Sequence, residues 1–179
     1  MNKAIFIDKD GTLISNVPYN VNPKLIHFEE HAFESLYSLQ QKGYYLIIVS
    51  NQPGISLGCF KEEELKAVEE KIKSSLLENK VMLNGFYYCP HAENEGCNCC
   101  KPKPGLFFKA AKDMEIDLSK SWMIGDILND VEAGKRSNCK TILIDNGNET
   151  EWIWNKHRIP HYVVNHLKAA AEIVLLNSS

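Results

Sequence analysis

The chain has 179 residues, of which 44% are hydrophobic and 24% charged, and its formal net charge is −3. This length suits one domain with a sizeable core, so we expect residues 1–179 to form a single domain. The slightly negative charge argues against a nucleic-acid partner, and no apolar run is long enough to span a bilayer. Because the N-terminus leads directly into an apolar run, no signal peptide is expected. We therefore predict a cytoplasmic monomer that binds neither nucleic acid nor membrane.

The first apolar run ends abruptly in two carboxylates. Residues 4–7 read Ala-Ile-Phe-Ile, which predicts a buried strand, and Asp8 and Asp10 follow it. Ligands of parallel sheets collect beyond the carboxyl ends of strands, so the two residues are expected at the mouth of a site. Two adjacent carboxylates repel each other unless a cation lies between them, and Mg²⁺ prefers such oxygen ligands. A carboxylate can also attack phosphorus. The alternative is that the pair only ends a strand and begins a turn.

Strand and helix patterns alternate along the rest of the chain. We predict a loop over 14–28, helices over 30–42, 61–78, 104–114, 131–136 and 167–176, and strands over 45–49, within 81–88, and over 122–125, 141–144 and 162–164. Alternation of this kind predicts a doubly wound parallel α/β sheet, a Rossmann-like architecture.

Polar residues also follow the second predicted strand. Ser50 stands directly after residues 45–49, and Asn51 and Gln52 come next. Hydroxyl and amide groups at this place could donate hydrogen bonds to phosphoryl oxygens as negative charge develops on them. The alternative interpretation is ordinary turn chemistry.

Two later segments offer a cation and a further carboxylate. Lys101 lies in Lys-Pro-Lys-Pro-Gly just before a predicted helix, whereas Lys103 is interpreted as a solvated charge. Asp126 follows the strand over 122–125, where it could bind a metal ion. Asp130 could cap the next helix or orient a metal ligand.

Soft metal ligands cluster in one short segment. Cys89, His91, Cys97 and Cys99 make a Cys₃His set, which suits a closed, structural Zn²⁺ site in a loop over 89–100. Cys100 could replace Cys99 as the fourth ligand, but the Cys-x-Cys spacing favours Cys99. The alternative is a cluster of free thiols. Because the loop has no hydrophobic run of its own, zinc would hold it in shape.

The string Asp-Lys-Asp-Gly-Thr-Leu at 8–13, followed by the other motifs in order, resembles the haloacid dehalogenase (HAD) superfamily of phosphatases. The resemblance implies a Mg²⁺-dependent phosphomonoesterase that works through an aspartyl-phosphate. Asp8 would be the nucleophile, and Asp10 the general acid and then base. Asp8, the Asp10 carbonyl and Asp126 would bind Mg²⁺, while Ser50 and Lys101 would contact the phosphoryl oxygens.

Further strings narrow the resemblance over roughly residues 4–145. Asn-Gln-Pro-Gly-Ile, Tyr-Tyr-Cys-Pro-His and the Cys-x-Cys loop resemble the zinc-containing heptose bisphosphate phosphatase family, to which the histidinol-phosphate phosphatases look similar. The resemblance implies a small phosphorylated sugar as substrate, removal of a 7-phosphate, and no large cap domain. It also implies substrate contacts at two segments and at the position before the motif lysine: Asn16, Val17, Pro18, Tyr19, Asn51, Gln52, Pro53 and Cys100.

Two positions depart from that family. Cys100 stands where an arginine is common, and Ile127 stands where a lysine or arginine is common. A thiol cannot replace the bidentate contact of a guanidinium. Histidinol phosphate, or another small sugar or alcohol phosphate, is therefore an open alternative substrate. A catalytically silent, zinc-stapled binding module and a phosphotransferase or phosphonate-cleaving relative are the remaining alternatives.

Overall fold

Six strands form one parallel sheet in the computed structural model, which describes residues 1–178. They are β1 (Lys3–Ile7), β2 (Tyr44–Asn51), β3 (Gly85–Cys89), β4 (Trp122–Gly125), β5 (Lys140–Ile144) and β6 (Tyr162–Val164). The order across the sheet is β3-β2-β1-β4-β5-β6, and every neighbouring pair is parallel. The chain builds outwards from β1 to β3 and then returns to the other side of β1. The predicted doubly wound sheet is confirmed, and its switch point lies between β1 and β4.

Helices cover both faces of this sheet. They are α1 (Ala32–Gln41), α2 (Glu62–Glu78), α3 (Gly105–Met114), α4 (Leu128–Arg136) and α5 (Leu167–Leu176). In α2 the buried residues Leu65, Val68, Ile72 and Leu76 recur every three or four positions, which places them along one side of the helix. Across residues 1–178, every helix is too short or too polar to cross a lipid bilayer.

Alternating residues of the central strand serve two separate core layers. Ile5 and Ile7 pack in the cluster that contains the buried residues of α1, α2 and α5. Ala4 and Phe6 pack in a second cluster with α3, where the ring centroids of Phe6 and Phe107 lie 4.7 Å apart. Because both faces of β1 are buried from Ala4 to Ile7, its side chains there are all apolar, and polar side chains stand only at its two ends, Lys3 and Asp8.

Several boundaries differ from the predicted ones. Strand β2 continues to Asn51, so Ser50 lies inside the strand rather than after it, because Ser50 and Asn51 still pair with β3. Helix α4 begins three residues earlier than predicted. Its start is fixed by Asp130, whose Oδ2 accepts hydrogen bonds from the backbone N–H groups of Asp126 and Ile127.

Candidate active site and metal centres

A buried lysine links the ends of strands β1 and β2 to the start of helix α4 at the carboxyl edge of the sheet. The Nζ of Lys101 lies 2.6 Å from Asp8 Oδ1 and 2.7 Å from Asp130 Oδ1, and it donates to the Val49 carbonyl at 2.8 Å. Burial acts against the charged ammonium, but the carboxylates of Asp130 and Asp8 raise the pKa of Lys101 well above its ordinary value. The lysine is therefore held charged beside the expected nucleophile.

Carboxylates outnumber this cation. Asp8, Asp126 and Asp130 each place an oxygen within 4.8 Å of the others. Burial, then the charges of Asp130 and Asp126, raises the pKa of Asp8 well above its ordinary value against the opposing effect of Lys101. Burial and Asp130 raise the pKa of Asp126 to about 6. The three carboxylates therefore carry more negative charge than Lys101 can balance, which is the environment a divalent cation relieves.

The hydrogen bonds of Asp130 leave the other two carboxylates to hold such a cation. One oxygen of Asp130 faces Lys101, and the other accepts the two backbone N–H groups at the start of α4. Asp8 and Asp126 remain as hard oxygen ligands at the mouth of the site. A set of carboxylate oxygens suits Mg²⁺ better than a transition metal.

Asp126 is oriented from two distant segments. Thr12 Oγ1 donates to its Oδ1 at 2.9 Å, and Asn148 Nδ2 donates to its Oδ2 at 2.7 Å. Gly11 lies against the same carboxylate: a Cβ there would come within 2.3 Å of Asp126 Oδ2, and its φ is +88°. Only glycine fits this close approach without moving the carboxylate or straining the backbone.

Asp10 is held by a second group of side chains. Lys9 Nζ lies 2.6 Å from Asp10 Oδ1, and Gln52 Nε2 donates to Asp10 Oδ2 at 3.1 Å. The same Gln52 amide donates to Ser50 Oγ at 2.8 Å. Because Ser50 accepts this bond, its own O–H is left to donate toward the site. Gln52 thus connects the segment after β1 to the end of β2 and fixes the relative positions of Asp10 and Ser50.

The other predicted substrate contacts have different surroundings. Asn51 uses its side-chain amide on the backbone of Lys101, accepting from its N–H at 2.9 Å and donating to its carbonyl at 3.0 Å. The loop that carries Asn16, Val17 and Pro18 lies toward solvent. Tyr19 adopts a left-handed conformation with φ 53°, and its ring lies so near Gly54 that a Cβ there would be 2.9 Å from Cδ1.

The four predicted zinc ligands lie together. Cys89 Sγ is 2.9 Å from Cys99 Sγ, 3.6 Å from Cys97 Sγ and 3.5 Å from His91 Nδ1. Cys99 Sγ is 3.4 Å from the same His91 nitrogen. These four atoms lie within 4.8 Å of one another, and Cys100 is not among them. One nitrogen and three sulfur atoms at this spacing suit a tetrahedral zinc ion.

Backbone hydrogen bonds join this loop to the active site. The Gln52 N–H donates to the Cys89 carbonyl at 2.7 Å, and the Gly105 N–H donates to the Asn98 carbonyl at 3.0 Å. Although burial acts to raise it, hydrogen bonds from the backbone N–H groups of Cys100 and Cys99 lower the pKa of Cys97 to about 7. The loop is therefore anchored to the Gln52 segment at one end and to the start of α3 at the other. Its Cys97 thiol, with a pKa of about 7, is ionised in part at neutral pH.

Sequence reasoning did not single out three of the residues that build the site: Lys9, Thr12 and Asn148. Lys9 is only 1% exposed although it is a lysine, and its position between two aspartates is the signal that could have revealed it. Thr12 lies within the first motif and contacts a residue 114 positions away. Asn148 had no sequence signal, because its role depends on how the segment after β5 folds back over the sheet.

Comparisons with known proteins agree with this geometry. A family model for HAD-hydrolase-like proteins matches residues 98–170. The chain is 40% identical over 154 residues to the D-glycero-beta-D-manno-heptose-1,7-bisphosphate 7-phosphatase of Pasteurella multocida, covering 82% of this chain and 84% of the relative. It is 41% identical to the protein of the same name from Haemophilus ducreyi, covering 81% of this chain and 84% of the relative.

A solved structure is similar over nearly the whole chain. It is the D,D-heptose 1,7-bisphosphate phosphatase of B. bronchiseptica in complex with magnesium and phosphate. The two share 26% sequence identity and superpose with a TM-score of 0.85, which covers 98% of this chain and 99% of that one.

Proposed function

Because the chain belongs to the D-glycero-beta-D-manno-heptose-1,7-bisphosphate 7-phosphatase family of HAD-like hydrolases, we propose that it removes the 7-phosphate of this heptose bisphosphate. The names of its relatives support the substrate. The observation that carries the chemistry is the buried cluster in which Lys101 lies 2.6 Å from Asp8 while Asp126 shares the same site. A carboxylate paired with one cation and crowded by another carboxylate suits a nucleophile that works with a metal ion.

Mg²⁺ fits the residues of this site. Asp8, Asp126 and the backbone carbonyl of Asp10 would hold it, with Thr12 and Asn148 keeping Asp126 in place. Burial and then the neighbouring carboxylates raise the pKa of both Asp8 and Asp126, which supports this assignment. When bound, the ion would neutralise charge on the phosphoryl oxygens.

The protein side chains divide the reaction into two steps. First, an oxygen of Asp8 bonds to phosphorus while the bond from phosphorus to the sugar oxygen breaks, and Asp10 gives that oxygen its proton. Lys101 and the Ser50 hydroxyl stabilise the negative charge of the transferring group. Asp10 then takes a proton from water, whose oxygen attacks phosphorus and releases inorganic phosphate from Asp8. Lys9 and Gln52 hold Asp10 in position for both proton transfers.

Structural zinc is the second proposed metal. Cys89, His91, Cys97 and Cys99 would bind it in a closed site with no open position for substrate. Its role would be to shape the loop that leads into Lys101. We also propose that zinc loop 89–100 and the sheet form one domain, active as a cytoplasmic monomer.

Phosphate release from a panel of esters tests the proposed function. We expect the heptose 1,7-bisphosphate to give the highest kcat/KM in Mg²⁺, with the 7-phosphate released. Asp8→Asn should lower kcat at least about 10³-fold because it removes the nucleophile. Asp145→Asn is the matched control, since Asp145 also directly follows a strand of the sheet, β5, but is exposed.

The panel also includes histidinol phosphate and hexose monophosphates. Cys100 and Ile127 lack the positive charge expected beside a second phosphate of the substrate. This absence supports a substrate with a single phosphate. A higher kcat/KM for a monophosphate would reassign the substrate but keep the chemistry. If wild-type protein and Asp8→Asn release phosphate equally slowly from every ester, the proposed chemistry is wrong.

A further inference from the structure

A cavity of about 430 Å³ adjoins the active site at Lys101. Cys100, Lys101 and Pro102, which precede α3, line one side of it. Asn129 of α4 and Arg158 of the β5–β6 segment line another side, here called the far wall. Lys101 donates inward to Asp8 and forms an ion pair with Asp130, so its charge is already balanced. The Cys100 thiol offers no positive charge. Any cation that this cavity offers to a ligand must come from the far wall or the rim.

Arg158 supplies such a charge from the far wall. Its Nε donates to Glu132 Oε2 at 2.6 Å, its Nη2 donates to Asn129 Oδ1 at 2.8 Å, and its Nη1 donates to the Ile153 carbonyl at 3.5 Å. A guanidinium has five N–H groups, so two remain for a ligand. Glu132 is also shared with Arg136, which donates to its Oε1 at 2.7 Å and 2.9 Å. One carboxylate between two guanidiniums leaves a net charge of one positive unit.

The remaining charged groups of the cavity lie on its rim. Lys103 lines it and donates to the Cys97 carbonyl, which holds its ammonium near the mouth. Glu93 and Glu151 also line the cavity and oppose an anion; they and Lys103 are exposed to solvent, which screens all three charges. The Arg158 side chain is only 17% exposed, so its charge is screened less.

We propose that this cavity binds the phosphate that the substrate keeps, with Arg158 as the principal cation and Lys103 as a second one. The inference rests on the proposed function, since a 1,7-bisphosphate that loses its 7-phosphate retains one at the other end. A guanidinium with two unused N–H groups can bind two phosphate oxygens at once. Asn129, fixed by its contact with Arg158, has its amide N–H₂ available for a third contact.

Paired substrates test the proposal. kcat/KM is measured for the heptose 1,7-bisphosphate and for the heptose 7-phosphate, which lacks the retained phosphate. Arg158→Gln should lower kcat/KM for the bisphosphate about 10- to 100-fold, mainly through KM, because it removes a charged hydrogen-bond donor. For the 7-phosphate, kcat/KM should change less than about 3-fold. Lys103→Gln should act in the same direction with a smaller effect, and Arg158→Lys should restore part of the loss.

Arg136→Gln is the matched control. Arg136 donates to the same Glu132 carboxylate but does not line the cavity. We expect Arg136→Gln to change kcat/KM for both substrates by the same factor, as any general loss of stability would. Thermal unfolding of each variant measures that loss. If Arg158→Gln also lowers kcat/KM for both substrates equally, the residue only supports the fold and the proposal is overturned.

Binding to the Asp8→Asn protein separates this proposal from the proposed function. Calorimetry compares the two heptose phosphates with and without Arg158→Gln. If wild-type protein releases no phosphate but Asp8→Asn binds the bisphosphate more tightly, and Arg158→Gln removes that preference, the phosphate site stands although the reaction does not. If Asp8→Asn binds both compounds equally, or neither, the phosphate site is wrong.

Discussion

The carboxylate cluster and the proposed zinc loop both gather side chains that could hold a metal ion, but the protein holds them in different ways. Each oxygen of Asp126 accepts a hydrogen bond from a protein donor, and Asp8 is paired with a buried ammonium. In the zinc loop the short contacts of Cys89 and Cys99 are to other members of the ligand set. The first site is therefore preformed by the fold, whereas the second, with the proposed zinc bound, would depend on that ion for its shape.

This difference has a physical origin in the sheet. The carboxylates stand at the ends of strands whose residues are fully buried on both sides, so packing fixes them without a metal ion. Between Pro90 and Asn98 no side chain is buried, and a 3₁₀ turn at Glu93–Glu95 is the only regular element there. A segment without a core of its own needs another source of stability, which a closed metal site supplies.

The largest effect that tests this comparison is expected when the adjacent residues Cys99 and Cys100 are replaced one at a time. Cys99→Ser should reduce zinc from about one ion per chain to nearly none after dialysis against a chelator, because a structural site needs all four ligands. Zinc content by elemental analysis and proteolysis of the loop measure the effect. Cys100→Ser is the matched control and should retain zinc, since its Sγ lies outside the set. The opposite result would make Cys100 the ligand.

Much of the carboxylate cluster could be predicted from the sequence. Strands with uninterrupted apolar residues gave clear patterns, and parallel pairing brings their carboxyl ends to one edge. The polar residues that follow those strands, Asp8 and Asp126, are therefore brought together by topology alone. Lys101 was singled out by its motif, and it lies 2.6 Å from Asp8.

The contacts made by loops could not be predicted in this way. Asn148 and Arg158 belong to the segment between β5 and β6, which has no helix and little periodicity, so nothing in the sequence fixes its path. Tyr19 was expected to contact substrate, but its left-handed conformation and its contact with Gly54 depend on tertiary packing. Loop conformation follows from what a loop packs against, which a linear pattern does not contain.

The next largest effect is expected on stability, from a change at Lys101, which connects the zinc loop to the carboxylate cluster. Lys101→Met would leave Asp8 and Asp130 buried without their cation, and removing one partner of a buried pair costs about 3–5 kcal/mol. Urea unfolding of metal-free protein measures this loss. Lys109→Met is the control: its ammonium is exposed and paired with Asp113 in the same helix, so we expect a change below about 0.5 kcal/mol. A loss of similar size in both variants would mean that the Asp8–Lys101 pair does not preform the site.

The smallest expected effect is a pH dependence of the free energy of unfolding. It tests whether the carboxylates lie together before a metal ion binds. Burial and Asp130 raise the pKa of Asp126 from 3.8 to about 6 in the folded protein. Between these values the folded carboxyl keeps a proton that the unfolded one has lost. Unfolding then releases a proton, so the free energy of unfolding of metal-free protein falls as pH rises.

Asp126→Asn lacks this titration, so its stability relative to wild type should rise between pH 4 and pH 6 by up to about 3 kcal/mol and stay level above that range. Thermal and urea unfolding in chelator measure the difference. Asp117→Asn provides a control of opposite sign, because hydrogen bonds from Ser119 lower the pKa of Asp117. With saturating Mg²⁺ the wild-type carboxylate is held ionised, so the rise should disappear. A difference that is flat with pH in chelator would mean that burial and Asp130 do not raise the pKa of Asp126, and that the protein does not hold the carboxylates together before the metal binds.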